Sequence, residues 1–86
     1  MPISMFEAFA CGLPVISTNV GGITNFIIDG ENGLLINSDD VNGLVDKIEY
    51  ILSNQDKVTS IIENAYNTFQ KYTWANLKDE YLELYT

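Results

Sequence analysis

Apolar residues follow first a helical and then a strand-like spacing, and this order predicts an α/β fold. An apolar helix begins near Ser4 and ends at Gly12, a residue that readily takes the left-handed conformation found after helix C-termini. Pro14 prevents further helix, and residues 15–18 are rich in β-branched side chains that suit a buried parallel strand. Residues 34–36 form a second short apolar run. We therefore expect two short parallel strands.

The rest of the chain has the spacing of helices. Residues 23–28 predict a short helical turn or the start of a strand, and Gly21-Gly22 before them predict a turn. Two amphipathic helices follow, separated by a polar break at residues 53–56, and Thr73 is expected to cap a last helix over residues 73–85. We expect four to five helices, and a single partial Rossmann-like domain that occupies residues 1–86.

The first of these amphipathic helices has candidate caps in Asn37, Ser38 and Asp39, whose side-chain oxygens can accept from a helix N-terminus. Its apolar residues recur at helical spacing and form one stripe, made of Val41, Leu44, Val45, Ile48, Ile51 and Leu52. In the last helix, one face is lined by Trp74, Leu77, Tyr81 and Leu84, and Leu82 and Tyr85 broaden it beyond what a small core needs, so that Trp74, Tyr81 and Tyr85 form an aromatic face. We interpret that aromatic face as core and domain-docking surface.

The start of the first helix is the candidate binding site. Ser4 and Glu7 have the spacing of a capping box, in which each side chain accepts from the other residue's backbone amide. The amides of Ile3, Ser4 and Met5 open the helix, and the helix dipole adds partial positive charge there, so they could hold a diphosphate without a basic side chain. A purely structural role stays open, because helix starts present such groups even when they bind only water.

Composition excludes several classes of function. The chain has 12 acidic residues against 4 lysines, with no arginine and no histidine, so its formal charge is −8. We exclude nucleic acid as a partner, because binding phosphate backbones requires clustered cations. Without histidine there is no residue that commonly shuttles protons or binds metals, and the single Cys11 can form no internal disulfide. We predict no metal, no cofactor and no catalytic residue, and interpret Cys11 as a buried small apolar residue.

Location is predicted from two further features. No apolar run approaches the ~20 residues that a membrane-spanning helix needs, and no signal peptide is recognisable. We expect a cytoplasmic protein, with association at the inner membrane face as a further option.

Several motifs together resemble one enzyme family. A Glu7-Ala8 pair, an Ala10-Cys11-Gly12 stop, a Pro14-Val15 strand start and a Val20-Gly21-Gly22 turn lead into the element Asp29-Gly30-Glu31-Asn32-Gly33-Leu34-Leu35. This order resembles the nucleotide-sugar-binding segment of retaining glycosyltransferases of the GT-B fold, of the family 4 type. Thr73-Trp74 and the final helix resemble the family's closing segment, so the resemblance covers essentially all 86 residues.

The resemblance implies a function for the helix start. In the family, the carboxylate at the position of Glu7 accepts hydrogen bonds from the ribose hydroxyls of a nucleoside-diphosphate sugar, and Ile3, Ser4 and Met5 occupy the diphosphate-binding position. The donor is UDP- or GDP-linked, and the sugar passes with retained configuration to an acceptor hydroxyl, in polysaccharide or glycoconjugate synthesis. The family needs no metal for this transfer.

Other parts of the family pattern fall before Met1. The missing parts are the first glutamate of the pair that forms the family signature, the earlier strands of the nucleotide-binding domain, and the acceptor-binding domain. We therefore expect the 86-residue chain to be inactive alone, and to need the N-terminal part of the enzyme or a partner chain. Two alternatives stay open: a stand-alone remnant or interaction module that docks to another chain, and a fragment of another GT-B enzyme such as a sugar-nucleotide epimerase.

Overall fold

The predicted α/β architecture with two parallel strands is confirmed. The structure is a computed structural model that describes the backbone of residues 3–85 and the side chains of residues 3–74. Its elements are α1 (Ile3–Ala10), β1 (Ile16–Thr18), a 3₁₀ helix (Gly21–Asn25), β2 (Leu34–Ile36), α2 (Val41–Ser53) and α3 (Gln55–Tyr85). β1 and β2 pair in parallel, with Ile16 opposite Leu34 and Thr18 opposite Ile36.

The predicted stop of the first helix is also confirmed. Gly12 has a φ of 71°, in the left-handed region. The amide of Leu13 donates to the carbonyl of Ala8 over 3.0 Å, and the amide of Gly12 donates to the carbonyl of Phe9 over 3.3 Å. These two bonds form a Schellman motif, which turns the chain from α1 towards β1.

The capping box predicted for Ser4 and Glu7 is wrong. α1 already includes Ile3, so Ser4 has helical backbone geometry, whereas an N-cap residue needs an extended backbone. Within the described residues, no hydrogen bond joins Ser4 to Glu7. Both side chains are exposed instead, so neither is occupied in holding the helix start.

The hydrophobic core lies between α1, α3 and the loop before β2. Phe9 and Ile27 are its most deeply buried large side chains, with exposed fractions of 0% and 2%. An aromatic cluster extends this core, in which Phe6 packs edge-on against Phe26 and Tyr72 with ring centroids 5.3 and 5.9 Å apart. α1 is therefore fixed by its aromatic face.

The predicted boundary at Thr73 is wrong, because α3 runs unbroken from Gln55 to Tyr85. Thr73 can cap a helix, but neither glycine nor proline occurs in residues 55–85 to end the preceding one. The described chain consequently has three α-helices and one 3₁₀ helix, slightly fewer helices than expected. Trp74 is 69% exposed, while Tyr81 and Tyr85 of the proposed docking face lie outside the residues whose side chains are described.

The cap of α2 is Asp40, one residue later than the three predicted candidates. Its Oδ1 accepts from the amide of Gly43 over 2.8 Å. Asp39 has a φ of 63°, so the chain is still turning there and the helix can begin only afterwards. A Cβ at Gly43 would come too close to the Asp40 carboxylate, so that side chain would have to shift from its capping position.

The apolar stripe of α2 forms, but most of it faces solvent. Val41 and Leu52 are 71% and 70% exposed, and Leu44, Val45 and Ile48 are exposed as well. The half-buried residues of α2 are Gly43, Lys47, Tyr50 and Ile51, and of these only Ile51 belongs to the stripe. The stripe therefore contributes little to the core of the described residues.

Replacing Asp40 by alanine should lower the free energy of unfolding by about 1 kcal/mol, because the amide of Gly43 loses its acceptor. Urea denaturation followed by circular dichroism measures this change. Ser38→Ala is the matched control, since Ser38 was a predicted cap but makes no described hydrogen bond. Equal destabilisation by the two substitutions would contradict the assignment of Asp40 as the cap.

Residues 3–85 contain no helix that is both long enough and apolar enough to cross a membrane.

Candidate functional site

The first turn of α1 separates its side chains into a buried and an exposed face. Met5, Phe6 and Phe9 point into the core, whereas Ile3, Ser4 and Glu7 are exposed. Residues three and four apart are neighbours on a helix surface, so the fold brings Ile3, Ser4 and Glu7 together. Met5 can contribute only its backbone amide to a ligand, because its side chain is 6% exposed.

The polar groups at this helix start are available for a ligand. The first amides of an α-helix have no acceptor within the helix, and they carry the positive end of its dipole. In the described part of the chain, Glu7 takes part in no side-chain hydrogen bond and no ion pair. An ionised carboxylate offers two acceptor oxygens, so the exposed face can accept from hydroxyls at Glu7 and donate to an anion one turn earlier.

Cys11 is exposed, which corrects the prediction that it is buried. It follows the last residue of α1 and lies beyond the buried face of that helix. No histidine occurs in the sequence to activate its thiol. The apolar run around Cys11 was therefore a poor guide to its burial, because only one face of a short helix reaches the core.

Asn32 is the buried polar residue that sequence analysis treated only as part of a turn. Its side chain is 7% exposed. Its Oδ1 accepts from the amide of Ile28 over 2.8 Å, and its Nδ2 donates to the carbonyl of Phe26 over 2.8 Å and to Oγ1 of Thr68 over 3.1 Å. The Asp29–Leu35 element is thus attached to α3 through Asn32.

Asp29 has a second structural function in the same element. Its Oδ1 accepts from the amide of Leu35 over 2.9 Å, and it lies 3.8 Å from Nζ of Lys47. Two open clefts of about 290 and 470 Å³ adjoin this pair, between β2 and α2. None of the residues of α1 lines either of these two clefts, so they are separate from the candidate site.

Comparison with known proteins identifies the family. The family model described as glycosyl transferases group 1 matches residues 1–68. An uncharacterized glycosyltransferase of Methanocaldococcus jannaschii is 38% identical over 68 residues, which are 79% of this chain and 19% of that protein. The D-inositol 3-phosphate glycosyltransferase of Corynebacterium urealyticum is 33% identical over 79 residues, which are 92% of this chain and 19% of that protein.

Solved structures agree with this result. Anabaena HepE, in a crystal structure in complex with UDP-glucose, has a TM-score of 0.79 at 25% identity, over 93% of this chain and 23% of that one. The TarM structure has a TM-score of 0.80 at 27% identity, over 100% of this chain and 18% of that one.

Both comparisons thus match this chain to segments of larger proteins. The chain spans only about a fifth of the length of the curated relatives described above. The family match covers well over half of the 86 residues, and the structural matches have the GT-B fold. The resemblance to glycosyltransferases of the GT-B fold is therefore confirmed: the chain belongs to the glycosyl transferases group 1 family, as a GT-B segment.

Proposed function

We propose that this chain forms part of the donor-binding site of a retaining glycosyltransferase of the family 4 type. The complete enzyme would transfer a sugar from a nucleoside-diphosphate sugar to an acceptor hydroxyl, in polysaccharide or glycoconjugate synthesis. The observation that carries the proposal is the exposed polar face of α1, where Glu7 and Ser4 lie beside the first amides of the helix.

Each group at this face has a distinct proposed function. The Glu7 carboxylate accepts from the two ribose hydroxyls of the donor, and the amides of Ile3, Ser4 and Met5 donate to its diphosphate. These amides precede Glu7 by about one helical turn, so the ribose and the diphosphate can lie side by side along the helix. The absence of a capping box supports this assignment, since the Glu7 carboxylate is not held by Ser4.

The chain topology supports the same location. Only residues 11–15 connect α1 to β1, so the C-terminus of α1 lies near the start of β1. A helix that packs antiparallel to the next strand then has its N-terminus near the carboxyl ends of the strands, where open α/β sheets bind their ligands.

The donor is UDP- or GDP-linked in this proposal, and no metal or cofactor is needed. Uridine is consistent with HepE, whose structure contains UDP-glucose. Cytoplasmic location, or association with the inner membrane face, follows from the same function, because nucleotide sugars are the substrates. The chain alone should catalyse neither sugar transfer nor donor hydrolysis, and detectable turnover by the pure 86-residue protein would contradict this.

Glu7→Ala should weaken the binding of UDP about tenfold, because charge-assisted hydrogen bonds to two hydroxyls are lost. Chemical-shift titration of the 86-residue chain with UDP measures the affinity, which we expect to be weak, and the α1 amides should shift most. GDP titrated in parallel tests the choice of base.

Glu63→Ala is the matched control, since Glu63 is exposed on α3 and takes part in no described ion pair. It should leave UDP affinity unchanged. Equal affinity of Glu7→Ala and the wild type, or shifts confined to residues outside α1, would contradict the proposed site.

A further inference from the structure

The first turn of α1 is held by tertiary packing. α1 has 8 residues, fewer than the ~12 to 15 that an isolated helix needs to be stable in water. In the described part of the chain, no capping box between Ser4 and Glu7 holds its start. Within this turn, Met5 and Phe6 are the side chains that reach the core. The orientation of the proposed binding groups therefore depends on what holds these two side chains.

Phe6 lies in a triangle of aromatic rings. Its ring packs edge-on against Phe26, with centroids 5.3 Å apart, and against Tyr72, with centroids 5.9 Å apart. Phe26 and Tyr72 also contact each other edge-on, at 5.2 Å and an angle of 71° between the ring planes. Edge-on contact is a favoured geometry for aromatic pairs. Two rings from outside α1 thus fix the position of Phe6.

α3 contacts this triangle in two ways. Tyr72 is itself a residue of α3. Thr68, four residues earlier and therefore on the same side of the helix, accepts from Nδ2 of Asn32. The same Nδ2 donates to the carbonyl of Phe26 over 2.8 Å. α3 therefore holds Phe26 through Asn32, and holds both Phe26 and Phe6 through the ring of Tyr72.

We infer that Tyr72 is a positioning residue of the donor site. Its ring, together with that of Phe26, holds Phe6 and so orients the first turn of α1 for binding a nucleoside diphosphate. Glu7 follows Phe6 directly in the chain, so a change in the packing of Phe6 moves the Glu7 carboxylate. Tyr72 does not touch the ligand. The inference rests on the proposed function for the identity of the ligand, whereas the ring triangle is a property of the described residues.

Tyr72→Leu and Tyr72→Phe test the inference, because leucine removes the ring and phenylalanine removes only the hydroxyl. Chemical-shift titration of the 86-residue chain with UDP measures the affinity, corrected for the unfolded fraction found by circular dichroism. Tyr72→Leu should bind UDP about fivefold more weakly than the wild type, because the preorganisation of the site is lost. Tyr72→Phe should bind UDP within about twofold of the wild type, because the edge-on contacts remain.

Val58→Ala is the matched control for a loss of stability. Val58 is 7% exposed and lies on the same helix, but it is outside the core cluster that contains Phe6. It is also about 20 Å along α3 from Tyr72. Val58→Ala should destabilise the chain and leave the UDP affinity of the folded molecules unchanged. Equal weakening by Val58→Ala and Tyr72→Leu, or wild-type affinity of Tyr72→Leu, would overturn the inference.

Hydrogen exchange measures the same packing without a ligand. Glu7 lies in the part of α1 that Phe6 anchors, whereas the amide of Leu13 donates to Ala8 at the other end of the helix. In Tyr72→Leu, the amide of Glu7 should exchange about threefold faster relative to that of Leu13, because the first turn opens locally. Val58→Ala should leave the ratio of the two rates unchanged. An unchanged ratio in Tyr72→Leu would overturn the inference.

The two measurements separate this inference from the proposed function. A wild-type chain that binds no UDP would contradict the proposed donor site, and the exchange ratio then decides whether Tyr72 holds the first turn of α1. If Tyr72→Leu does not fold, Phe26→Leu takes its place, since it removes the other ring that contacts Phe6 from outside α1. The same weakening of UDP binding is expected, and wild-type affinity of Phe26→Leu would overturn the inference.

Discussion

Phe9→Ala is expected to lower the free energy of unfolding by about 3 to 5 kcal/mol, the usual cost of removing a buried aromatic ring. Phe9 is fully buried, with an exposed fraction of 0%. Its ring packs edge-on against that of Phe6, with centroids 5.8 Å apart. Alanine would leave a cavity beneath α1, at the place where α1 contacts α3.

The size of this effect has a direct consequence for the chain. Small domains have a net stability of only about 5 kcal/mol, and two strands with three helices provide a modest core. We therefore expect Phe9→Ala to retain at most about 2 kcal/mol of stability, so that up to about half of the molecules are unfolded at 25 °C. Urea denaturation followed by far-ultraviolet circular dichroism measures the change, with sucrose added to extend the native baseline if necessary.

Leu13→Ala is the matched control, because Leu13 also loses a large apolar side chain but is 55% exposed. Its cost should stay within about 0.5 kcal/mol, as for most surface substitutions. If Leu13→Ala destabilises the chain as much as Phe9→Ala, then the core does not lie where the described contacts place it.

Local sequence signals predicted the elements whose physics is local. Gly12 ends α1 in the left-handed conformation, and Pro14 precedes the β-branched run that contains β1. Both features depend on the conformational preferences of a few adjacent residues. The parallel pairing of β1 with β2 was also predictable, because short apolar runs without polar alternation suit buried parallel strands.

Predictions that depended on competition between neighbouring residues were less accurate. Asp39 and Asp40 can both cap a helix, and only the left-handed φ of Asp39 shows that Asp40 does so. Thr73 can begin a helix but cannot end the one before it, so α3 continues. Cys11 lies in an apolar run, yet its burial depends on which face of α1 meets α3, and this is a tertiary property.

The candidate site was predictable in part. The family resemblance indicated Glu7, Ile3, Ser4 and Met5, and the fold places three of their side chains on one exposed face. Spacing alone instead indicated a capping box, which does not form. Asn32 could not be identified as buried from the sequence, because its partner Thr68 lies on a helix far along the chain, and no local pattern joins the two.

Asn32→Ala is expected to lower the free energy of unfolding by about 3 kcal/mol. The substitution removes three hydrogen bonds at once. It also leaves the amide of Ile28 and the carbonyl of Phe26 without partners near the core, and an unsatisfied buried polar group costs about 1 to 3 kcal/mol. The loss exceeds what one polar side chain usually contributes, because Asn32 connects two backbone segments and α3.

Two variants separate this effect from a general weakening of the loop. Asn64→Ala removes one exposed hydrogen bond, from Nδ2 to the carbonyl of Glu31 in the same loop, and should cost about 0.5 to 1 kcal/mol. Asn32→Asp keeps an acceptor for the amide of Ile28 but loses the donor to Phe26 and Thr68.

We expect Asn32→Asp to be nearly as unstable as Asn32→Ala at neutral pH, because its carboxylate would face the carbonyl of Phe26 without a donor. Urea denaturation of the three variants measures these differences. A cost for Asn32→Ala no greater than that for Asn64→Ala would mean that the Asp29–Leu35 element is held by its backbone turns, and that its attachment to α3 through Asn32 contributes little.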